Sequence, residues 1–290
     1  MAIKVRNRAP LWVFAFHELQ QAIRSTVIRN KIAACLCFFK TKSLKNLNSN
    51  SDAQSLKKNG YLMLENILTE IEIESLITKL AKLDCVDRAR KELGTFKAAD
   101  IPEQTHVADI NNVVDIPEAI KFANNENVLA LVSDYLGAVP IIDNIKAWWS
   151  LPGFDEAENE QFYHRDNDSI KFIKLFMYLT DVDDKSGPHV FIQKSQNSKE
   201  FEERRRFNDE EVESCFTSSD RIEYLGQKGT AFLEDTYGLH KGSLPTDNKR
   251  LLIQVRYSLL PTIFLNKFAT VNEACISEMQ NKYINKYLHK

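Results

Sequence analysis

The chain has 290 residues, of which 43% are hydrophobic and 27% charged, and its formal net charge is −2. This composition is typical of globular proteins and excludes a disordered chain. Apolar runs fall far short of the roughly 18 residues that a membrane-spanning helix needs. The five cysteines show neither a CxxC pair nor a zinc-ribbon spacing, which indicates reduced thiols and predicts a cytoplasmic location.

Residues 1–48 hold nine lysine or arginine residues against the single acid Glu18, a net charge of +8 that leaves −10 for the remainder. Between Pro10 and Phe39 apolar residues recur at helical spacing around Arg24, Arg29 and Lys31, which predicts a basic amphipathic helix or a pair of helices. Such a segment either packs on the domain with its charges in water or makes peripheral contact with an anionic membrane. Base-stacking aromatics and groove-binding motifs are missing, so we predict no nucleic-acid partner.

The polar stretch from Lys42 to Gln54 is typical of a linker. After it, Gly60–Leu64 predicts a short strand. Thr69 followed by Glu72 is a capping box, which predicts a helix that continues to about Leu83. A second helix is expected from Asn127 to the glycine at position 137. Helices therefore dominate the first half.

Beyond Pro140 the pattern becomes β, with runs rich in Ile, Val, Phe, Tyr and Trp between glycines and prolines. The predicted strands are Ile141–Leu151, Lys171–Thr180, His189–Ile192, Thr230–Leu233 and Leu251–Leu260. A charged helical insertion is expected at 197–213 and a terminal helix at 266–290. We therefore predict an α+β fold, a double-stranded β-helix (jelly-roll or cupin-like barrel) flanked by helices. Residues 1–50 form its helical extension, and residues 51–290 form the barrel domain with its C-terminal helix.

The stretch around residue 164 contains the candidate metal ligands. His164 and Asp166 are two positions apart, so in an extended segment both side chains point to the same face. A His-x-Asp pair alone is common by chance. His240, in a Gly-Leu-His-Lys-Gly setting, supplies a third ligand. Two histidines and one carboxylate with open positions are the ligand set of non-haem Fe(II) oxygenases.

Several motifs resemble the phytanoyl-CoA dioxygenase family of Fe(II)/2-oxoglutarate-dependent oxygenases. The resemblance covers about residues 55–262 and is based on Tyr-His164-Arg-Asp166, Phe-Met-Tyr-Leu-Thr-Asp181-Val, Ser186-Gly187-Pro188, Leu-His240-Lys-Gly242 with Arg250, Asn-Gly60-Tyr, and Asp-Tyr-Leu-Gly137 before Pro140.

The resemblance implies that His164, Asp166 and His240 hold Fe(II), with positions left for 2-oxoglutarate and O2. The reaction would hydroxylate or desaturate a small organic or lipid-like metabolite and release succinate and CO2. Halogenating relatives carry a small residue at the aspartate position, so the intact Asp166 favours hydroxylation or desaturation.

The far carboxylate of 2-oxoglutarate needs a bidentate cation, a geometry that Arg250 supplies better than a lysine would. Arg256 has the same strand parity and is the second candidate. Lys174 and Ser258 could assist.

We expect Trp149, Tyr163 and His189 to line the substrate pocket. The substrate is predicted to be a small molecule. A lipid-linked substrate would suit the membrane contact that the basic N-terminal helices suggest. Two alternatives remain open at this stage. The same three ligands would serve a zinc-dependent cupin-like hydrolase or isomerase with a bound water, and a jelly roll can also be a non-catalytic binding module.

Overall fold

The computed structural model describes residues 11–40, 50–260 and 283–284 of the chain. The helices of this part are α1 (Leu11–Ala22), α2 (Thr26–Phe38), α3 (Asn50–Asn59), α4 (Glu70–Leu80), α5 (Pro117–Ala123), α6 (Glu126–Leu136) and α7 (Asp209–Glu213). The strands are β1 (Tyr61–Leu64), β2 (Asp84–Asp87), β3 (Thr95–Lys97), β4 (Val107–Ile110), β5 (Ile141–Ser150), β6 (Phe172–Tyr178), β7 (His189–Ile192), β8 (Arg221–Tyr224), β9 (Ala231–Glu234), β10 (His240–Gly242) and β11 (Arg250–Ser258).

The strands form two antiparallel sheets. The larger has eight strands in the order β1-β9-β6-β11-β5-β4-β2-β3, and the smaller has the order β10-β7-β8. Residues of both sheets line one cavity, which therefore lies between them. This architecture confirms the predicted jelly-roll fold flanked by helices.

Strand β11 shows how the large sheet is buried on both faces. Leu251, Ile253 and Val255 pack into the main hydrophobic core, together with residues of α3 to α6. The alternate residues Arg250, Gln254 and Arg256 line the cavity. All nine residues of β11 are buried. Burying each large aliphatic side chain stabilises the fold by roughly 1.5–3 kcal/mol, so this strand is a central anchor.

Both helices predicted in the first half are present. Thr69 accepts a hydrogen bond from the backbone of Glu72, and the Glu72 side chain accepts one from the backbone of Thr69, at the start of α4. Helix α6 ends at Gly137, whose φ of 78° lies in the left-handed region that glycine favours. Local capping signals therefore located these helix ends correctly.

Two predictions for connecting segments are wrong where the structure describes them, which excludes residues 41–49 of the predicted linker. Helix α3 begins at Asn50, inside the predicted linker, because Ala53 and Leu56 are buried while the polar residues around them face solvent. In the predicted helical insertion at 197–213 only α7 is an α-helix. The capping residue Asn208 starts α7, and the arginines at 204–206 before it are exposed. The predicted terminal helix at 266–290 lies outside the described residues, apart from Tyr283 and Ile284.

Helices α1 and α2 pack on the segment that follows the His-x-Asp pair. The Gln20 side-chain oxygen accepts hydrogen bonds from Ser169 Oγ (3.1 Å) and from the backbone of Ile170 (2.9 Å). Thr26 donates its backbone N–H to the carboxylate of Glu202 at 2.7 Å. Within the described residues, no helix combines the length and apolar character that crossing a bilayer requires.

Gly60 is expected to be needed for its backbone conformation and for space. Its φ is +86°, and a Cβ there would lie within 3 Å of Gln196 and Phe191. We expect Gly60→Ala to lower the free energy of unfolding by roughly 2–5 kcal/mol, because left-handed strain and overpacking add. Gly137→Ala is the control for backbone strain, with φ 78° and ψ 10° in the left-handed region and with Cys37 Sγ, at 3.3 Å, as the nearest atom to its Cβ, and it should lose only about 1–2 kcal/mol. Equal losses in urea denaturation would contradict the steric argument.

Candidate metal centre

The two candidate histidines, 76 residues apart, are joined directly through their backbones. His164 N donates to His240 O at 3.0 Å, and His240 N donates to His164 O at 3.1 Å. Asp166 N donates to Thr236 O at 2.9 Å, which holds the third ligand beside the same segment. An isolated antiparallel bridge therefore aligns the residues that the sequence separates.

The ligand atoms of the three side chains converge. One nitrogen from each histidine and one Asp166 oxygen all lie within 4.8 Å of one another. Asp166 Oδ2 is 3.3 Å from His240 Nε2, and Asp166 Oδ1 is 3.8 Å from His164 Nε2. These three residues, which we call the triad, were predicted from the sequence.

Backbone carbonyls orient both imidazoles. His164 Nδ1 lies 2.9 Å from Phe162 O, and His240 Nδ1 lies 3.0 Å from Gly238 O. A carbonyl can only accept, so each Nδ1 carries the proton and each Nε2 presents a lone pair to the shared point. The triad therefore fits a divalent metal with imidazole and carboxylate ligands.

The electrostatics of the triad also suit a cation. Burial and the neighbouring His240 lower the pKa of His164 well below its usual value, so this imidazole is neutral. Burial acts to lower the pKa of His240, but the Asp166 carboxylate outweighs it and the pKa rises. Burial would raise the pKa of Asp166, yet Lys174 and His240 hold it well below its usual range. Asp166 is therefore a carboxylate.

A chain of ion pairs, with both cations buried, positions Asp166. Lys174 Nζ lies 2.5 Å from Asp166 Oδ2 and 3.1 Å from Asp168 Oδ2. Arg256 then joins Asp168 to Asp143, with both N–O distances 2.8 Å. We call these five groups the ion-pair chain. It connects the triad to strands β5, β6 and β11.

The ion-pair chain also bears on the predicted 2-oxoglutarate contacts. Lys174 and Arg256 line the cavity as expected, but both already pair with carboxylates of the protein. Ser258 is fully buried, does not line the cavity and donates to Asp143 Oδ2 at 3.0 Å. All three residues are therefore already engaged with carboxylates of the protein.

Arg250 is a different case. It is 3% exposed, and its guanidinium donates to Gly187 O and to Ser150 Oγ, the latter at 3.2 Å. Its Nε has no hydrogen-bond partner, and no carboxylate among the described residues pairs with it. Gly187 adopts φ +65°, and a Cβ there would meet Ser243 O and Pro245. The tight turn thus presents its carbonyl to Arg250, which remains available for a carboxylate in the cavity.

The cavity has a volume of about 840 Å³ and contains the triad and Arg250 in its lining. His189 lines it, as predicted, and its Nε2 lies 3.0 Å from Glu234 Oε1. Burial lowers the pKa of His189 well below its usual value and raises that of Glu234 to about 8. The pair is therefore electrically neutral near pH 7.

Trp149 and Tyr163 are not in the cavity lining, which corrects the predicted substrate contacts. Trp149 packs against the main core on the opposite face of β5, and its neighbour Trp148 lines the cavity instead. Tyr163 is buried in a separate cluster with Phe207 and Val190. Adjacent residues of a strand point to opposite faces of the sheet, so only one of the two tryptophans can face the cavity. The sequence alone does not show which one does.

Sequence reasoning missed several polar residues of the lining. Asn144 and Lys146 share the cavity face of β5 with Trp148, and Gln254 lies between the two arginines of β11. Alternation counted back from Ser150 or on from Arg250 would have found them. Asp168 continues the His-x-Asp spacing by two more residues.

The N-terminal helices brace the segment that carries two of the ligands. Arg29 of α2 is 3% exposed and donates to Asn167 Oδ1 and to Ser169 O. Its guanidinium also lies 4.3 Å from the centre of the Tyr237 ring. On the other side, Arg165 donates to the backbone carbonyls of Phe201 and Tyr237. The segment that carries His164 and Asp166 is therefore held in place from two sides.

Comparison with known proteins agrees with this geometry. The family model Phytanoyl-CoA dioxygenase (PhyH) matches residues 56–244. The chain belongs to the phytanoyl-CoA dioxygenase family. This confirms the resemblance found in the sequence, and with it the enzyme class, a 2-oxoglutarate-dependent oxygenase with iron and 2-oxoglutarate as cofactors. Helices α1 and α2 lie outside the matched region.

Solved structures of family-like enzymes share the fold. The non-haem α-ketoglutarate-dependent epimerase SnoN from nogalamycin biosynthesis is 14% identical, with a TM-score of 0.51, over 71% of this chain and 80% of that one. EctD from S. alaskensis, solved with 2-oxoglutarate and 5-hydroxyectoine, is 17% identical, with a TM-score of 0.52, over 74% and 78%. A comparison with curated proteins finds no significant match. At these identities the likeness establishes the jelly-roll fold alone.

Lys174 is expected to be essential for stability because it is itself buried and neutralises two half-buried carboxylates, those of Asp166 and Asp168. In metal-free protein, Lys174→Met should lower the free energy of unfolding by about 3–5 kcal/mol, the usual cost of breaking a buried ion pair from one side. Lys146→Met is the matched control, because Lys146 pairs with no described carboxylate, and it should change stability by less than about 1 kcal/mol. Urea denaturation of both variants checks this, and an equal loss in each would contradict the ion-pair chain.

Proposed function

We propose that the protein is an Fe(II)- and 2-oxoglutarate-dependent dioxygenase that hydroxylates or desaturates a small organic metabolite and releases succinate and CO2. One observation carries the proposal. The triad converges in the same cavity as Arg250, a buried guanidinium without a carboxylate partner among the described residues. A metal would complete the triad, and a dicarboxylate would pair with Arg250.

In this proposal, Nε2 of His164, Nε2 of His240 and the carboxylate of Asp166 hold Fe(II) on one side. Bound iron supplies O2 activation coupled to the oxidative decarboxylation of 2-oxoglutarate. Arg250 binds the far carboxylate of 2-oxoglutarate through parallel N–H donors, which burial strengthens. Lys174 holds the second oxygen of Asp166 and so orients this ligand.

The zinc hydrolase alternative uses the same triad with a bound water. It gives Arg250 no general role, and the non-catalytic alternative gives none to an open set of three ligands. Metal analysis of protein purified without chelators, together with protection from thermal unfolding by 2-oxoglutarate, separates the alternatives from the oxygenase.

Arg250 and the triad should have separable effects on binding. Under anaerobic conditions we expect Fe(II) and 2-oxoglutarate together to produce a visible charge-transfer absorption, and to lose it in His164→Ala and Asp166→Ala. Arg250→Met should keep Fe(II) binding and raise the Kd for 2-oxoglutarate by roughly 30-fold or more, because a charge-assisted bidentate contact is lost.

The matched control is His106→Gln, a buried histidine outside the cavity lining, which should behave as the wild type. Stoichiometric release of succinate should follow the same order of variants. Tight iron-dependent binding of 2-oxoglutarate to Arg250→Met would contradict the assigned role of Arg250.

We also propose that α1 and α2 contact an anionic membrane peripherally. Arg29 and Ala33 of α2 face the protein, whereas Ile28 and Phe38 are 51% and 86% exposed. Arg24 and Lys31 are exposed beside them. An apolar stripe flanked by cations suits the surface of an anionic bilayer. The cytoplasmic location and a lipid-linked substrate remain predictions from the sequence.

Vesicle sedimentation tests the membrane contact. The full chain should pellet with phosphatidylserine-containing vesicles at low salt and much less with pure phosphatidylcholine vesicles or at high salt. Phe38→Ser combined with Phe39→Ser should reduce pelleting several-fold. Ile71→Ser, at an apolar position of α4 that is 82% exposed, is the control. Equal pelleting of all variants would refute the contact.

A further inference from the structure

Lys146 occupies a distinctive place in the cavity wall. It lies in the middle of β5, on the face shared with Asn144 and Trp148, and its register partner on β11 is Gln254. The Lys146 side chain is exposed, but it lies in the concave wall of the cavity, where partial desolvation by the surrounding protein lowers its pKa. An ammonium group thus faces the space where a substrate must bind.

Apart from Arg250, which is assigned to 2-oxoglutarate, three other cations of the cavity lining already pair with carboxylates of the protein. Arg88 pairs with Asp109 at 2.5 Å and with Glu160 at 3.6 Å. Lys174 and Arg256 belong to the ion-pair chain. By contrast, Lys146 forms neither an ion pair nor a hydrogen bond with any residue in the described part of the chain. A partly desolvated cation of this kind favours an anionic ligand.

Uncharged polar groups adjoin Lys146. Asn144, two residues earlier on the same face, is 6% exposed, and its Oδ1 has no hydrogen-bond partner. Gln254 is 8% exposed and also lines the cavity. Both amides can donate and accept hydrogen bonds. Together with the ammonium they form a polar subsite, here called the Lys146 subsite.

The backbone positions of Lys146 and of Arg250 are well separated along the sheet. Ser150, which contacts Arg250, lies four residues from Lys146 along β5, which is about 13 Å in a strand. The terminal carbons of 2-oxoglutarate are separated by only four carbon–carbon bonds of about 1.5 Å each. With the far carboxylate of 2-oxoglutarate on Arg250, as proposed above, Lys146 is left for a second anion.

We propose that Lys146, with Asn144 and Gln254, binds a carboxylate or phosphate group of the substrate. This inference rests on the proposed function, because it takes Arg250 as the site of 2-oxoglutarate. The substrate then carries an anionic group, and Lys146 determines specificity by charge.

Simple anions test the subsite without knowledge of the substrate. Protein loaded anaerobically with Fe(II) and saturating 2-oxoglutarate is titrated with inorganic phosphate or with acetate at constant ionic strength, and the thermal midpoint is followed. We expect at least one anion to raise the midpoint. Lys146→Gln should weaken that anion at least tenfold and Lys146→Arg much less. Lys91→Gln, at an exposed lysine of a 3-10 helix that also lines the cavity, should leave it unchanged.

The outcomes are distinct. A response to phosphate alone indicates a phosphorylated substrate, and a response to acetate indicates a carboxylate. No response to either anion, or an equal response in Lys146→Gln, would overturn the Lys146 subsite. The proposed function is judged separately, because stabilisation by 2-oxoglutarate itself depends on Arg250 and should persist in every Lys146 variant.

A succinate-release screen then compares matched pairs of compounds, sugar phosphates with free sugars and amino-acid carboxylates with their amides. The anionic member of a productive pair should be preferred, and Lys146→Gln should raise its KM at least tenfold with a smaller change in kcat. Preference for the neutral member would contradict the proposal.

Discussion

The chain of ion pairs from Asp143 through Arg256, Asp168 and Lys174 to Asp166 is the interaction on which the site depends. Three carboxylates face two cations, so the group carries a net charge of −1, and desolvating such charges is costly unless each is paired. A divalent metal bound to Asp166 would offset this net negative charge. The sheet thus keeps the metal ligand Asp166 in place, although placing charged groups inside the protein costs free energy. A metal-binding function explains this arrangement.

The same constraint gives the N-terminal helices a structural role. They lie outside the matched family region, yet Arg29 and Gln20 bind the backbone and side chains at 167–170, directly after Asp166. The basic residues of the extension therefore lie on two faces with different roles. One arginine of α2 fixes the ligand loop, and exposed cations on the other side remain available to a membrane surface. Truncating the extension would change both properties at once.

Much of the site was predictable because its signals are local. His-x-Asp spacing, the distal histidine and Arg250 ten residues later are readable as residue types at fixed offsets. The capping box at Thr69 and the glycine stop at 137 located helix ends for the same reason. The face of the sheet on which a side chain lies, and the residues with which it pairs, cannot be read from neighbouring sequence. Trp149, expected in the pocket, packs on the core instead, and Arg256 was predicted without its partners Asp143 and Asp168, because these features depend on strand register and long-range contacts. Short strands such as β10 have too few residues for a period to show.

The most direct test of the account is diffraction at the iron absorption edge from crystals grown anaerobically with Fe(II) and 2-oxoglutarate. We expect one iron bound by Nε2 of His164, Nε2 of His240 and the Asp166 carboxylate, with the far carboxylate of 2-oxoglutarate on Arg250. Iron bound elsewhere, or 2-oxoglutarate held by Lys146 or Arg256 instead of Arg250, would contradict it.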